Sequence, residues 1–352
     1  MINEISELYG RRLIATNLSD QLKNDNRLKF TNGLKINRSW IICKRCGTQT
    51  KKRLAKLPND QYYCPVCIQM GRIDTLNQLV YVEEPNQFEA VLNPITWNGE
   101  LTPLQLQCSK QITQNFVDGK DHLLWAVTGA GKTEMLFNAI NWALENGLRI
   151  ALASPRVDVC LELFPRIQAA FESINISLLH GKSTMNYQYC QLTICTIHQL
   201  MKFYQAFDVL IIDEVDVFPY AGNSMLHFAV KNALKRNGTK LYLTATPDLD
   251  LFRMIKHHTI SVSYLPKRFH NHLLPEISLL RQKKLRENIN VGSISNKLIK
   301  IMRSKVEAKI PFLVFVPHIN DLEILKRVLG KYFDRIIFET VFANDQNRLA
   351  KV

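Results

Sequence analysis

The sequence lacks any apolar run close to the roughly 18 to 20 residues needed to cross a bilayer. Its first residues, MINEISELYGRR, contain no apolar stretch of the kind that marks a secretory signal. A membrane-spanning or exported chain is therefore not expected, and a cytoplasmic one is. Glycine and proline are sparse, at 14 and 13 of 352 residues, while 46% of the chain is hydrophobic and 22% charged. That balance excludes collagen-like, low-complexity and disordered chains. Acid is also in short supply: 31 Asp and Glu face 45 Lys and Arg, for a formal net charge of +14. A surface of that sign suits a polyphosphate partner. At roughly 150 residues per domain, the length predicts two or three domains.

Four of the eight cysteines are scattered (Cys108, Cys160, Cys190, Cys195), and four form two CxxC pairs. Without an export signal, paired cysteines point to metal rather than to disulfides. Cys43-Lys-Arg-Cys46 and Cys64-Pro-Val-Cys67 are separated by the 17 residues 47 to 63, the spacing of a zinc ribbon. Each CxxC turn presents two sulfurs, and two turns close a tetrahedron with no position left for water, so the Zn²⁺ is expected to be structural. A redox role would not need two copies at this spacing. Basic residues (Lys44, Arg45, Lys51, Lys52, Arg53, Lys56) and aromatics (Trp40, Tyr62, Tyr63) crowd the module. Cations neutralise phosphates and rings stack on bases, so Lys51, Lys52 and Arg53 are candidate contacts to single-stranded DNA. The competing reading is a solvated basic face over rings packed beneath the turns.

Along the chain, 1–40 is polar and weakly patterned and reads as an arm with a short helix. Residues 41–71 hold the cysteines, and 72–100 read as a connector with a strand at 79–84. From 101 to 258, short apolar runs at 122–127, 149–154, 176–180, 191–196, 208–213 and 240–245 alternate with helical periodicity. Continuously apolar strands of this length are covered on both faces, which predicts an α/β domain with a parallel sheet. A linker-like stretch follows at 259–292, then a strand at 311–317, a helix at 320–332 and a strand near 335–342. This reads as the opening of a second, incomplete α/β lobe (259–352), with a further helix beginning in DQNRLAKV.

The strongest motif is Ala126-Val-Thr-Gly-Ala-Gly-Lys-Thr133, between an apolar strand and an amphipathic helix. Backbone N–H groups of Thr128, Gly129, Ala130 and Gly131 are expected to cradle a phosphate chain at the helix N-terminus. Lys132 would meet the β- and γ-phosphates, and the Thr133 hydroxyl would ligate Mg²⁺. Asp213-Glu-Val-Asp216 closes another strand. Asp213 would hold Mg²⁺, and Glu214 would orient and activate the attacking water. Thr244-Ala-Thr246-Pro ends the next strand and could couple this region to a neighbouring lobe. Gln105 is a candidate reader of the adenine edge. Arg156, Thr196 and His198, each just past a strand, are candidate DNA-backbone contacts.

AVTGAGKT, DEVD and TATP, in this order, resemble the superfamily 2 helicases of the DEAD/DEAH type. The cysteine module in front, the LYGR start (Leu8 to Arg11) and DEVDVFP (Asp213 to Pro219) are similar, within that class, to the ComFA family of late-competence ATPases. The resemblance implies a RecA-like P-loop domain, a partial second RecA-like lobe and an N-terminal four-cysteine ribbon. It also implies ATP and Mg²⁺ as cofactors, tracking along single-stranded DNA and, with DEVD in place of DEAD or DEAH, Asp216 at the coupling position. The setting it implies is the cytosolic face of a membrane channel, with other competence proteins as partners, no direct membrane insertion, and room for a homo-oligomer. No QxxGRxxR-like segment precedes Val352, so a C-terminally truncated chain and slow hydrolysis by this chain alone are expected. An arginine supplied to the γ-phosphate is worth about 10³ to 10⁵ in rate. Two alternatives stand beside this reading. One is a replication-restart helicase, whose cysteines would be expected later in the chain. The other is a non-catalytic, nucleotide-gated DNA-binding scaffold.

Overall fold

The computed structural model describes residues 1–181, 187–270, 276–333 and 336–342. The chain separates into two compact units, Met1–Leu274 and Pro275–Val352.

The first unit begins with six short strands: β1 (Arg12–Ile14), β2 (Lys29–Asn32), β3 (Leu34–Ile36), β4 (Trp40–Cys43), β5 (Gln49–Lys51) and β6 (Gln78–Tyr81). They form two antiparallel three-stranded sheets, ordered β1-β6-β2 and β3-β4-β5. The arm expected over 1–40 is thus corrected to a folded segment. Ile2, Leu8, Tyr9, Leu18, Val80 and Val82 share a small core. These apolar residues are far apart in sequence and meet only through long-range pairing, so they leave no periodic trace.

The α/β region then follows as α1 (Pro103–Val117), β7 (His122–Ala126), α2 (Lys132–Glu145), β8 (Ile150–Ser154), α3 (Val157–Ala170), β9 (Ile176–Leu179), β10 (Leu192–Thr196), β11 (Phe207–Ile212), α4 (Ser224–Ala233), β12 (Leu234–Thr244), α5 (Leu249–Lys256) and β13 (Ser261–Leu265). Its seven strands are all parallel, in the order β13-β7-β12-β11-β8-β10-β9. Helix α1 starts where Thr102 caps it, with Pro103 in the first turn and Gln105 completing a capping box.

Strand β13 lies in the stretch expected to be a linker, and this too is a correction. Its inward positions are Ser261 and Ser263, whose hydroxyls lie 2.9 and 2.8 Å from the two ring nitrogens of buried His122 on β7. Val262 and Tyr264 face outward. Polar-in and apolar-out inverts the usual strand signal.

The cysteine module is continuous with this domain. Its four cysteines share one core with Leu200, Phe203, Leu226 and Ala229. Gly47 turns left-handed (φ +72°), and a Cβ there would lie 2.5 Å from the Phe228 ring on α4, so no side chain fits. Arg149, fully buried at the entry to β8, ties the N-terminal sheet down. It pairs with Glu84 and donates to the Tyr9 carbonyl (3.1 Å) and the Tyr187 hydroxyl (2.5 Å).

The second unit contains α6 (Leu285–Asn290), α7 (Asn296–Glu307) and α8 (Ile319–Gly330). They gather around Ile294, Ile299, Leu325, Val328, Leu329 and Phe333. The strands expected at 311–317 and 335–342 are not formed over 311–317 or 336–342. A strand exists through a ladder to a neighbour, and among the described residues of this unit none is available. The helix expected in DQNRLAKV lies outside the described residues.

Candidate nucleotide site and metal centre

The phosphate-binding loop joins the end of β7 to α2. Gly131 caps α2 in the left-handed region (φ +73°), and a Cβ there would meet the Gln105 amide nitrogen at 2.5 Å. Gln105, only 2% exposed, donates to the Ala130 carbonyl (2.9 Å) and accepts from the Thr102 N–H (2.9 Å). Its amide therefore braces the loop from behind. It is not among the residues that line the cavity described next.

That cavity, of about 430 Å³, is lined by Thr128 to Thr133 and by Asp213, Glu214, Asp216 and Thr244. These groups stand at the carboxyl ends of β7, β11 and β12, where open parallel sheets bind ligands. Lys132 Nζ donates to the Ala126 carbonyl at 2.9 Å. Burial lowers its pKa, and the carboxylates Asp213, Asp216 and Glu214 oppose that shift. Burial pushes Asp213 up to about 6, while the Lys132 charge pulls it down. Asp213 also accepts the Glu214 N–H at 2.9 Å. Glu214 has a left-handed backbone (φ +51°), a strained conformation of the kind that clusters at active sites. Its carboxylate is gripped by Arg156 at two points, one of them 2.7 Å. Asp216 accepts hydroxyl hydrogen bonds from Thr244 (2.6 Å) and Thr246. DEVD and TATP are thereby one hydrogen-bonded unit.

The six residues expected to bind DNA do not gather at one place. Arg156 lines the nucleotide cavity. Thr196 is buried at the end of β10, and His198 is half-buried in the 3₁₀ turn that follows. Lys51 and Lys52 lie over the Trp40 and Tyr62 rings at 5.5 and 5.2 Å, and Arg53 is exposed beside them. Other residues at the nucleotide cavity went unread in the sequence. Arg166 on α3 bridges Glu134 (2.5 Å) and Glu162 (3.3 Å). Arg268 lies over the loop, its Cγ 3.8 Å from where a Gly129 Cβ would be, with its Nε buried and unpartnered. Single isolated arginines carry no motif, so only the fold reveals them.

The four cysteine sulfurs converge. Cys43–Cys67, Cys46–Cys64 and Cys64–Cys67 are 3.8, 3.6 and 3.6 Å apart, and all four thiols lie within 4.8 Å of one another and are buried. A tetrahedron with Zn–S of about 2.3 Å has edges of about 3.8 Å, so the set fits zinc. Arg45 Nη2 donates to Cys67 Sγ at 3.0 Å and would offset thiolate charge.

The loop, the acidic strand end and the parallel sheet together define a helicase-type ATPase domain. The family described as the res subunit of type III restriction enzymes matches residues 98–249, and the ComFA N-terminal domain family matches residues 4–81. Competence protein ComFA of Streptococcus pneumoniae is 36% identical over 312 residues, covering 89% of this chain and 71% of that protein. ComFA of Bacillus subtilis is 35% identical over 356 residues, covering 98% of this chain and 76% of that protein. The DEAD-box helicase Mss116 superposes with a TM-score of 0.43 and 16% identity, over 59% of this chain and 48% of that one. The chain belongs to the ComFA family of competence proteins. Among the described residues, no helix is long and apolar enough to cross a membrane.

Proposed function

We propose that this chain is an ATP-driven motor that grips single-stranded DNA during uptake in competent cells, at the cytosolic face of the import channel and alongside other competence proteins. In this reading 41–71 is the zinc ribbon, and 101–258, extended by β13, is the ATP-binding domain. The carrying observation is that Lys132, Thr133, Asp213 and Glu214 face one cavity whose rim, Asp216 with Thr244 and Thr246, is wired by hydrogen bonds.

Bound Mg²⁺ would neutralise the phosphate oxygens on which charge develops. Thr133 and Asp213 are the residues to hold it. Lys132 would exchange the Ala126 carbonyl for a phosphate oxygen, and Glu214 would orient water once released from Arg156. The test is ATP hydrolysis with and without single-stranded DNA, for wild type and Lys132→Ala. The motor reading expects turnover that rises with DNA and vanishes in the variant. Saturable nucleotide binding with DNA-insensitive or no turnover would instead support a nucleotide-gated scaffold. One observation favours that second reading: Lys132 and Glu214 are both held by protein groups, Ala126 and Arg156.

A further inference from the structure

A second cavity, of about 460 Å³, opens within the first unit, away from the nucleotide loop. Arg11, Arg12, Arg45 and Lys202 line it, and Glu7 is the one carboxylate among its lining residues. The Glu7 carboxylate is already committed to the N–H groups of Asn3 (2.8 Å) and Glu4 (3.1 Å) in the first turn. We propose that this cavity is a phosphate-binding site for the backbone of a single-stranded nucleic acid.

The argument is one of unbalanced charge. Arg149 is a buried guanidinium with a buried carboxylate, Glu84, against it. Arg11 and Arg12 are each only 8% exposed, yet neither has an ion-pair partner among the described residues. A guanidinium offers five N–H donors. Arg11 commits Nη1 to the Glu7 carbonyl (3.0 Å) and leaves Nε buried without a partner among the described residues. Arg12 commits Nη2 to the Lys44 carbonyl (2.6 Å). Arg11 stacks on Tyr187 at 3.8 Å and Arg12 on Tyr204 at 4.3 Å, so both are fixed in place rather than free to swing into water. Arg45 is different: it is held by the carbonyls of Met70, Cys67 and Gly71 and donates to Cys67 Sγ, so its charge is set against the cysteine cluster, and only its Nε is unpartnered among the described residues. Lys202 is half-buried and makes no hydrogen bond or ion pair among the described residues. Buried cations without counter-charges are costly unless an anion completes the site.

The cations come from three separate places: the start of β1, the first cysteine turn, and the 3₁₀ turn after β10. They surround a space larger than one phosphate needs, which favours a strand crossing the cavity over a single ion. Lys202 follows the carboxyl end of β10, so the cavity opens on the same rim of the sheet as the nucleotide site. The inference rests on the motor reading only for the identity of the strand.

The test uses the full chain carrying Lys132→Ala, so that the nucleotide loop does not take up polyphosphate. Binding of a labelled oligo-dT is followed across a salt series, with Lys202→Gln compared against Lys202. The Gln variant should melt at or above the parent temperature, bind several-fold more weakly, and lower the slope of log K against log salt by about 0.7. Equal affinity and slope in a folded variant overturn the proposal. In the parent chain, saturating oligonucleotide should shield Lys202 from acetylation read by mass spectrometry, and equal labelling overturns it without any variant. If inorganic tripolyphosphate shields Lys202 and oligo-dT does not, the strand assignment falls. If oligo-dT binds but ignores Lys202, the pocket falls and the motor reading stands; if it does not bind at all, both fall.

Discussion

Two cavities in one compact unit use opposite charge logic. The three cations that line the nucleotide cavity face acid: Lys132 looks onto Asp213, Glu214 and Asp216, Arg156 pairs with Glu214, and Arg166 pairs with Glu134. At the N-terminal cavity Arg11, Arg12 and Lys202 face none that is free. The first is lined by four carboxylates against three cations before its ligand arrives, so a phosphate chain is expected to need Mg²⁺ with it. The second is short of an anion and needs only phosphate. Nucleotide binding should thus depend on divalent cation, and strand binding chiefly on monovalent salt.

The largest expected effect is on the second cavity. If the four cysteines hold zinc, chelating it withdraws about 10 to 16 kcal/mol in modules of this kind, and Cys43→Ser withdraws part of that; the Cys67 sulfur that Arg45 contacts is then no longer fixed. Oligonucleotide binding should vanish and the melting temperature fall, as read by anisotropy and calorimetry on chelator-treated protein. Next comes Lys132→Ala, expected to cut ATP turnover by about 10² to 10³ while leaving oligonucleotide affinity intact, which would separate the two cavities directly.

A third test touches neither cavity. Burial lowers His122 from 6.5 to about 4. Its folded pKa lies below the unfolded value, so the unfolded chain takes up the proton first, and stability is lost as pH falls from about 6.5 to 4. The loss should reach about 3 kcal/mol, and denaturant midpoints at pH 7 and 4.5 in wild type and His122→Asn would measure it. The smallest effect is Arg156→Ala. Freeing Glu214 from a half-exposed pair should raise DNA-free hydrolysis by about two- to five-fold, the range of an exposed ion pair, and no change or a fall would break the view of this contact as a restraint.

The same contrast explains what was readable beforehand. The phosphate loop, DEVD, TATP and the paired cysteines are contiguous or nearly so, because each is a local turn of backbone at the end of a strand. Six strands of the parallel sheet were legible as apolar runs. Strand β13 was not, because its inward side chains are serines that bind His122. Gln105 could be flagged, but not its role in bracing the loop, which depends on α1 packing behind residue 130. Arg156 read as a DNA contact because its partner Glu214 is 58 residues away. Arg11, Arg12, Arg45 and Lys202 could not be grouped at all, since only the packing of the N-terminal segment against the turn after β10 brings them to one cavity.

Gly47 against Phe228 has a mechanical consequence. With no room for even a methyl group, the cysteine turn is seated on α4 as a fixed fitting rather than a tethered finger. Whatever it holds is seated in the same compact unit that carries the nucleotide loop.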